Sequence, residues 1–214
     1  PLSILLSQTS YSTISINTDA DGASSVVIAD MDADGDLDIV SASYKDDTIA
    51  WYENDGAANP SFSAANISVS HADGPNAVKV ADMDGDGDLD IVSASFEDDK
   101  IAWYENDGAA NPSWTARNIG SNETNGGTQI ALADLDNDGD IDIVSSAYDS
   151  DKIIWYENDG ATDPSWSIAD INTDADGAYD VFVADMDGDG DLDILSASRL
   201  DDTIAWHEND GAAN

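Results

Sequence analysis

The sequence predicts an all-β fold, a β-propeller of four four-stranded blades, from three markers that recur in one register. The string Asp-x-Asp-x-Asp-Gly-Asp-x-Asp begins at Asp30, Asp82, Asp134 and Asp185, a step of 51 or 52 residues. Trp-Tyr-Glu-Asn-Asp-Gly follows at 51–56, 103–108 and 155–160, with Trp-His-Glu-Asn-Asp-Gly at 206–211. Pro-Ser-Phe or Pro-Ser-Trp comes next, at Pro60, Pro112 and Pro164. Self-similarity at a fixed period of roughly 50 residues marks stacked supersecondary units, and four short strands per unit is the pattern of a blade.

The second unit shows the elements in order. Ala77–Ala81 is an apolar run that ends at the Asp-rich loop. Leu89–Ser95 follows the loop, and the turn Glu97-Asp98-Asp99 leads into Lys100–Glu105. An Asn-Asp-Gly turn and Pro112 precede a last strand over Trp114–Ile119. Alternating Val, Ile, Trp and Tyr bounded by Asp and Gly is strand patterning. No stretch of ten or more residues carries a helical period. Ile101-Ala-Trp-Tyr104 is apolar on both faces, as expected of a sheet packed between two others.

The last unit stops after its Trp-His strand and lacks a fourth. Tyr11–Gly22 reads in register with Trp166–Gly177, through a shared Ile-Asn-Thr-Asp-Ala-Asp-Gly. Residues 11–17 are therefore expected to complete the last blade and close the ring, since an unpaired edge is a hazard. Residues 1–214 form one domain on this reading. A four-bladed monomer and a homodimer sharing an eight-bladed ring both stay open.

Composition excludes some functions. There are 46 Asp+Glu against 6 Lys+Arg, a formal net charge of −40. Binding phosphate or an anionic membrane needs clustered Lys and Arg, so neither a nucleic acid nor membrane insertion is expected. Leu2–Leu6 is too short to cross a bilayer. With hydrophobic residues at 41% the chain can still build a core. It has no cysteine, so disulfides and thiolate metal sites are impossible. It begins at Pro1 rather than Met, as expected of a trimmed product.

Self-repulsion on this scale calls for a bound cation or for a high-salt medium, and the loops supply a place for a cation. In the first, Asp30, Asp32, Asp34 and Asp38 stand at positions 1, 3, 5 and 9, Gly35 at 6, and Asp36 at 7. Alternate carboxylates on a tight loop converge on one point. The glycine permits the turn, and position 7 offers its carbonyl. The same set is Asp82, Asp84, Asp86, Asp88 and Asp90, then Asp134, Asp136, Asp138, Asp140 and Asp142, then Asp185, Asp187, Asp189, Asp191 and Asp193. All-oxygen sites suit Ca2+, whereas zinc or copper wants His or Cys. About four Ca2+ per chain are expected. The opening matches an EF-hand loop, but position 12 is Ser41, Ser93, Ser145 or Ser196 rather than Glu.

The segment Ala81–Ser95 (ADMDGDGDLDIVSAS) resembles the FG-GAP/VCBS repeats of bacterial surface and secreted proteins. More distantly it is similar to the integrin α-subunit propeller. The resemblance covers all four units. It implies calcium between the first and second strands of each blade, and a secreted or cell-surface location of bacterial type. The Phe-Gly and Gly-Ala-Pro strings that name the family are missing here, so integrin-like ligand binding is not implied.

Among the remaining residues, Trp51, Trp103, Trp155 and Trp206 read as inter-blade core rather than sugar platforms. Tyr44, Phe96, Tyr148 and Arg199 occupy one repeat position before the acidic turn. They form a candidate ligand surface for glycan, or else caps of the blade ends. His71 and His207 stand at different repeat positions with no partner pattern, so no catalytic residue is assigned. Asn66 and Asn122 open glycosylation sequons. The function expected is a calcium-stabilised extracellular binding or adhesion module for polysaccharide or a surface protein. The alternatives are a polysaccharide-active lyase or hydrolase on the same scaffold, and a structural spacer of a larger surface protein.

Overall fold

Each fifty-residue unit folds as one antiparallel sheet in a computed structural model, which describes residues 11–67, 72–121 and 125–211. Leu2–Leu6, His71 and the sequon at Asn122 lie outside the described residues. The first sheet is β1 (Ala23–Ala29), β2 (Asp38–Ser43), β3 (Thr48–Asn54) and β4 (Phe62–Asn66). The second is β5 (Pro75–Ala81), β6 (Asp90–Ser95), β7 (Lys100–Asn106) and β8 (Trp114–Ser121). The third is β9 (Gly127–Ala133), β10 (Asp142–Ala147), β11 (Lys152–Asn158) and β12 (Trp166–Asn172). The fourth has three strands, β13 (Ala178–Ala184), β14 (Asp193–Ser198) and β15 (Thr203–His207).

Register repeats from sheet to sheet. Val40 pairs with Trp51, Val92 with Trp103, Val144 with Trp155 and Leu195 with Trp206. The second and third strands of the first three sheets are largely buried, and the second and third sheets are packed between neighbours on both sides. The turn between them ends on an aspartate in the left-handed region, at Asp47 (φ 53°), Asp99 (57°), Asp151 (58°) and Asp202 (56°). Aspartate tolerates that region better than most residues. Its carboxylate then accepts the N–H of the next sheet's glycine, Gly74 to Asp47 at 3.0 Å, Gly126 to Asp99 and Gly177 to Asp151 at 2.9 Å.

The inner strands pack in chain order, β1 on β5, β5 on β9 and β9 on β13. Three apolar clusters fill the gaps. Met31, Ile49 and Trp51 meet Val78, Ile91 and Tyr104 in the first. Met83, Ile101 and Trp103 meet Ile130, Ile143 and Tyr156 in the second. Leu135, Val144 and Ile153 meet Val181 and Ile194 in the third. At about 1.5–3 kcal/mol per buried large side chain, these interfaces are the dominant favourable term.

Two expectations are corrected. Residues 11–20 form no strand, and the fourth sheet ends at β15, so the N-terminal segment does not complete the last blade within this chain. Nor do the four sheets close a ring, since no packing comparable to β9 on β13 joins β13 to β1. The physical reason is that each blade is held only by the wedge of side chains against its neighbour. Three such wedges do not bring the last sheet round to the first.

Candidate metal centres

The Asp-rich loops join the first strand of each sheet to the second, so all four project from one end of the blades. Each winds by side-chain-to-backbone bonds of its own carboxylates. Asp30 Oδ1 accepts the N–H of Asp34 (3.1 Å) and Oδ2 that of Gly35 (3.0 Å), while Asp34 Oδ1 accepts from Asp36 (2.9 Å). Asp82 and Asp134 make the same pair of bonds. Two loop positions are left-handed. Position 6 is glycine throughout, with φ near 100° at Gly35, Gly87, Gly139 and Gly190. Position 4 is Ala33 (φ 59°), Gly85 (72°), Asn137 (61°) and Gly188 (82°). Sequence reasoning passed over position 4, although Gly, Asn and Gly there are the residues that region favours.

This winding gathers carboxylates. Asp30, Asp32 and Asp34 each bring an oxygen within 4.8 Å of the others, as do Asp82, Asp84 and Asp86, and Asp134, Asp136 and Asp138. In the fourth loop the set is Asp185, Asp187 and Asp193. Asp189 stands outside it, and Asp185 Oδ1 accepts from Gly188 instead (2.7 Å). Burial first, and the neighbouring aspartates after it, push Asp32, Asp84, Asp136 and Asp187 above the usual carboxylate range. Glu53, Glu105 and Glu157, the glutamates of the Trp-Tyr-Glu marker, add charge from the third strand. Their recurrence in that marker was the signal that could have found them.

The ninth aspartate does something further. Asp38 is buried; its Oδ2 accepts from Met31 N (3.2 Å) and Trp51 Nε1 (3.0 Å), and its Oδ1 from Asn54 N (2.8 Å). Asp90, Asp142 and Asp193 hold the equivalent backbone N–H groups of Met83 and Asn106, Leu135 and Asn158, and Met186 and Asn209. This residue ties the start of the loop to the end of the third strand. With about four acceptor directions per carboxylate, Asp38 keeps one for another partner. Burial pushes Asp90 up to about 7 and Asp142 to about 6. In the terminal sheet the bond from Asn209 N holds Asp193 below the usual range.

The seventh aspartate turns its side chain out of the cluster. Asp36, Asp88, Asp140 and Asp191 lie over Gly56, Gly108, Gly160 and Gly211 of the Asn-Asp-Gly turns. A Cβ on those glycines would stand 2.0, 2.0, 1.9 and 2.1 Å from a carboxylate oxygen.

The donor set fits a hard divalent cation. Every converging atom is a carboxylate oxygen, with no imidazole or thiol among them. The ion pairs Lys45–Asp21, Lys100–Asp98, Arg117–Glu105 and Lys152–Asp170 use none of the loop aspartates. Three carboxylates held this close, none of them in an ion pair among the described residues, form an oxygen-rich site of the kind Ca2+ takes.

At the opposite end, after the second strands, Tyr44, Phe96 and Tyr148 form a row. Ring centroids are 6.4 and 6.3 Å apart, with planes tilted by 52° and 51°. Arg199 lies over Tyr179 at 5.6 Å. Together with Asn76 and Thr128 they line a shallow recess of about 230 Å³. The Tyr44 hydroxyl donates to Glu97. A larger cavity of about 460 Å³ lies between the third and fourth blades, and His207, which replaces the tyrosine of the other repeats, lines it with Trp155 and Glu157. His207 Nε2 and Ser196 Oγ are 2.9 Å apart.

The family model for FG-GAP-like repeats matches residues 30–93, 82–145 and 134–196, overlapping units that span well over half of the chain. No curated protein matches the chain. Among solved structures, the V. cholerae biofilm matrix protein Bap1 is similar at 20% identity and a TM-score of 0.45, over 88% of this chain. The chain spans only 31% of that protein. A putative 6-phosphogluconolactonase from Bacteroides uniformis is similar at 13% identity and a TM-score of 0.42, over 91% of this chain and 72% of its own.

Proposed function

This chain belongs to the FG-GAP-like repeat family, and from that membership we propose that it is a calcium-loaded extracellular binding module acting in adhesion. The observation that carries the proposal is the fourfold cluster of converging carboxylates, none of them in an ion pair among the described residues. Bound Ca2+ would supply the neutralising charge at each loop. Asp30, Asp32 and Asp34, their equivalents in the second and third loops, and Asp185, Asp187 and Asp193 in the fourth would hold it, with Asp38 and the carbonyl of position 7 available beside the first. Locking the four loops stiffens one end of every blade and leaves the opposite end to meet a ligand. That end carries the aromatic row, and tyrosine and phenylalanine faces beside polar groups suit the alternating apolar and hydroxyl faces of sugars. The ligand proposed is accordingly a polysaccharide.

The test is a glycan array run with calcium and with EDTA, on wild type and on Tyr44→Ala/Tyr148→Ala. Binding that requires both calcium and the two tyrosines supports the proposal. Binding that survives the double substitution places the ligand elsewhere. The Ser196–His207 pair takes the place of Ser93–Tyr104 in the second blade, with Ser196 buried, and so does not favour the rival reading as a hydrolase.

A further inference from the structure

The second metal loop has a cation built beside it, and the first and third loops do not. Arg117 on β8 lies directly across from Trp103 on β7, and its guanidinium stands over that ring, 5.4 Å from the centroid. From there it reaches the glutamate of the same Trp-Tyr-Glu marker. Arg117 Nη2 and Nε donate to Glu105 Oε2 at 2.8 and 3.2 Å. Nη1 donates to Asp163, in the loop that leads into β12 of the next blade. A planar fork stacked on a ring and bonded to two carboxylates is held in one place rather than left to swing in solvent.

Arg117 and Asp163 are both departures from the repeat. The place of Arg117 is taken by Ala65 in the first blade and Ala169 in the third, each across from its own tryptophan. The place of Asp163 is taken by Asn59 and Asn111. Two substitutions that break the repeat therefore meet in one ion pair. The group between them keeps to it: of Glu53, Glu105 and Glu157, Glu105 alone is in an ion pair among the described residues. This glutamate sits beside the metal loop. Glu105 precedes Asn106, whose N–H is held by Asp90 at 2.8 Å, and in the third unit Glu157 lines one cavity with Asp136 and Asp138. The charges of Glu105 and Arg117 both reach Asp84.

The loop aspartates and the marker glutamate are the same in these three units, so the guanidinium is the difference between them. A divalent ion entering the second loop meets a fixed positive charge that the first and third loops lack. The glutamate that would lend it negative charge is already shared with Arg117. We infer that Arg117, fixed by Trp103, Glu105 and Asp163, sets the second loop to bind calcium more weakly than the first and third, so that the chain fills in steps as calcium rises. This rests on the reading of the loops as calcium sites. A unit charge a few ångströms beyond contact with a divalent ion makes the expected difference about fivefold or more in Kd. The Arg117 side chain is partly exposed, so salt should narrow the difference.

The test is calorimetric calcium titration of the full chain at low salt, with circular dichroism to check the fold of each variant. Asp86→Ala marks the second loop: alone it should remove a weak step, and combined with Arg117→Gln a tight one. Arg117→Gln should tighten that step about fivefold or more. Asp163→Asn leaves Arg117 on Glu105 with less charge against it, and should loosen the step instead. Ala65→Arg with Asn111→Asp carries the pair to the first blade without touching the native one, and should loosen the first loop. Opposite shifts from Arg117→Gln and Asp163→Asn support the inference, because loss of a merely structural contact would move both the same way. An Arg117→Gln titration identical to wild type, or shifts of the same sign in both variants, overturns the inference and leaves the calcium sites standing. A chain that takes up no calcium in any form overturns both.

Discussion

Asp90→Ala separates a structural hub from a metal ligand. Asp90 is buried and accepts the backbone N–H of Asn106 at 2.8 Å and of Met83 at 3.1 Å. Hydrogen bonds to a charged group contribute about 1.5–3 kcal/mol each, and alanine leaves both buried donors without that acceptor. Two such losses come to roughly 3–6 kcal/mol. Burial pushes the Asp90 carboxyl up to about 7, so the substitution also removes a poorly solvated charge, and the lower half of the range is expected. About 3 kcal/mol in a domain of this size lowers Tm by roughly 6–12 °C. Asp86→Ala removes an exposed member of the carboxylate cluster and should matter mainly when calcium is bound. The assay is urea unfolding of both variants and wild type, in saturating calcium and in EDTA with a protecting osmolyte to keep the metal-free protein folded. The Asp90→Ala loss should persist in EDTA, and the Asp86→Ala loss should shrink there. If Asp90→Ala costs stability only in calcium, the buried hydrogen bonds are not what makes the residue matter.

Three further outcomes are expected. Ala33 holds a left-handed φ of 59° where two other loops use glycine; Ala33→Gly should stabilise by about 0.5–1 kcal/mol, the relief of left-handed strain less the entropy of glycine, and equilibrium unfolding reads it. A Cβ on Gly108 would stand 2.0 Å from the Asp88 carboxylate. Gly108→Ala should therefore lower Tm by more than the strain of alanine at its φ of 63° alone, and adding Asp88→Ala should recover part of the loss. The last outcome concerns pH in calcium-free protein. Asp90 near 7 and Asp142 near 6 lie above their ordinary 3.8, so between these values the folded state binds more protons than the unfolded chain. Their contribution falls as pH rises from about 4 through about 7, and melting in EDTA should come at a higher temperature at pH 5.5 than at pH 8.

The repeat unit was legible because its markers are local. The Asp loop, the Trp-Tyr-Glu strand and the Asn-Asp-Gly turn each need only a few consecutive residues, and the strands fell where the Val, Ile and Trp runs placed them. Leu89 stayed outside β6, and β8 ran on to Ser121. What needs partners distant in sequence was not legible. Spacing alone cannot show that the ninth aspartate, the first residue of its strand, faces N–H groups 7 and 16 residues away. Nor could it show that the Asn-Asp-Gly glycine is required by the carboxylate of Asp88 lying over it. The aromatic row came from a shared repeat position, but Tyr179 departs from its equivalents Ser24, Asn76 and Thr128 and was missed. Ring closure failed for a different reason: a period counts blades, while the angle between them depends on how side chains wedge at each interface.

Calcium titration by calorimetry, paired with thermal melts, tests the central claim most directly. Four loops with converging carboxylates should take up four Ca2+ per chain. At 100 times the dissociation constant each ion adds about 2.7 kcal/mol, so four add roughly 11 kcal/mol, against a typical domain stability of about 5–15 kcal/mol. EDTA should accordingly lower Tm by tens of degrees or unfold the chain. A titration without uptake, or a melting curve that EDTA leaves in place, would contradict the account.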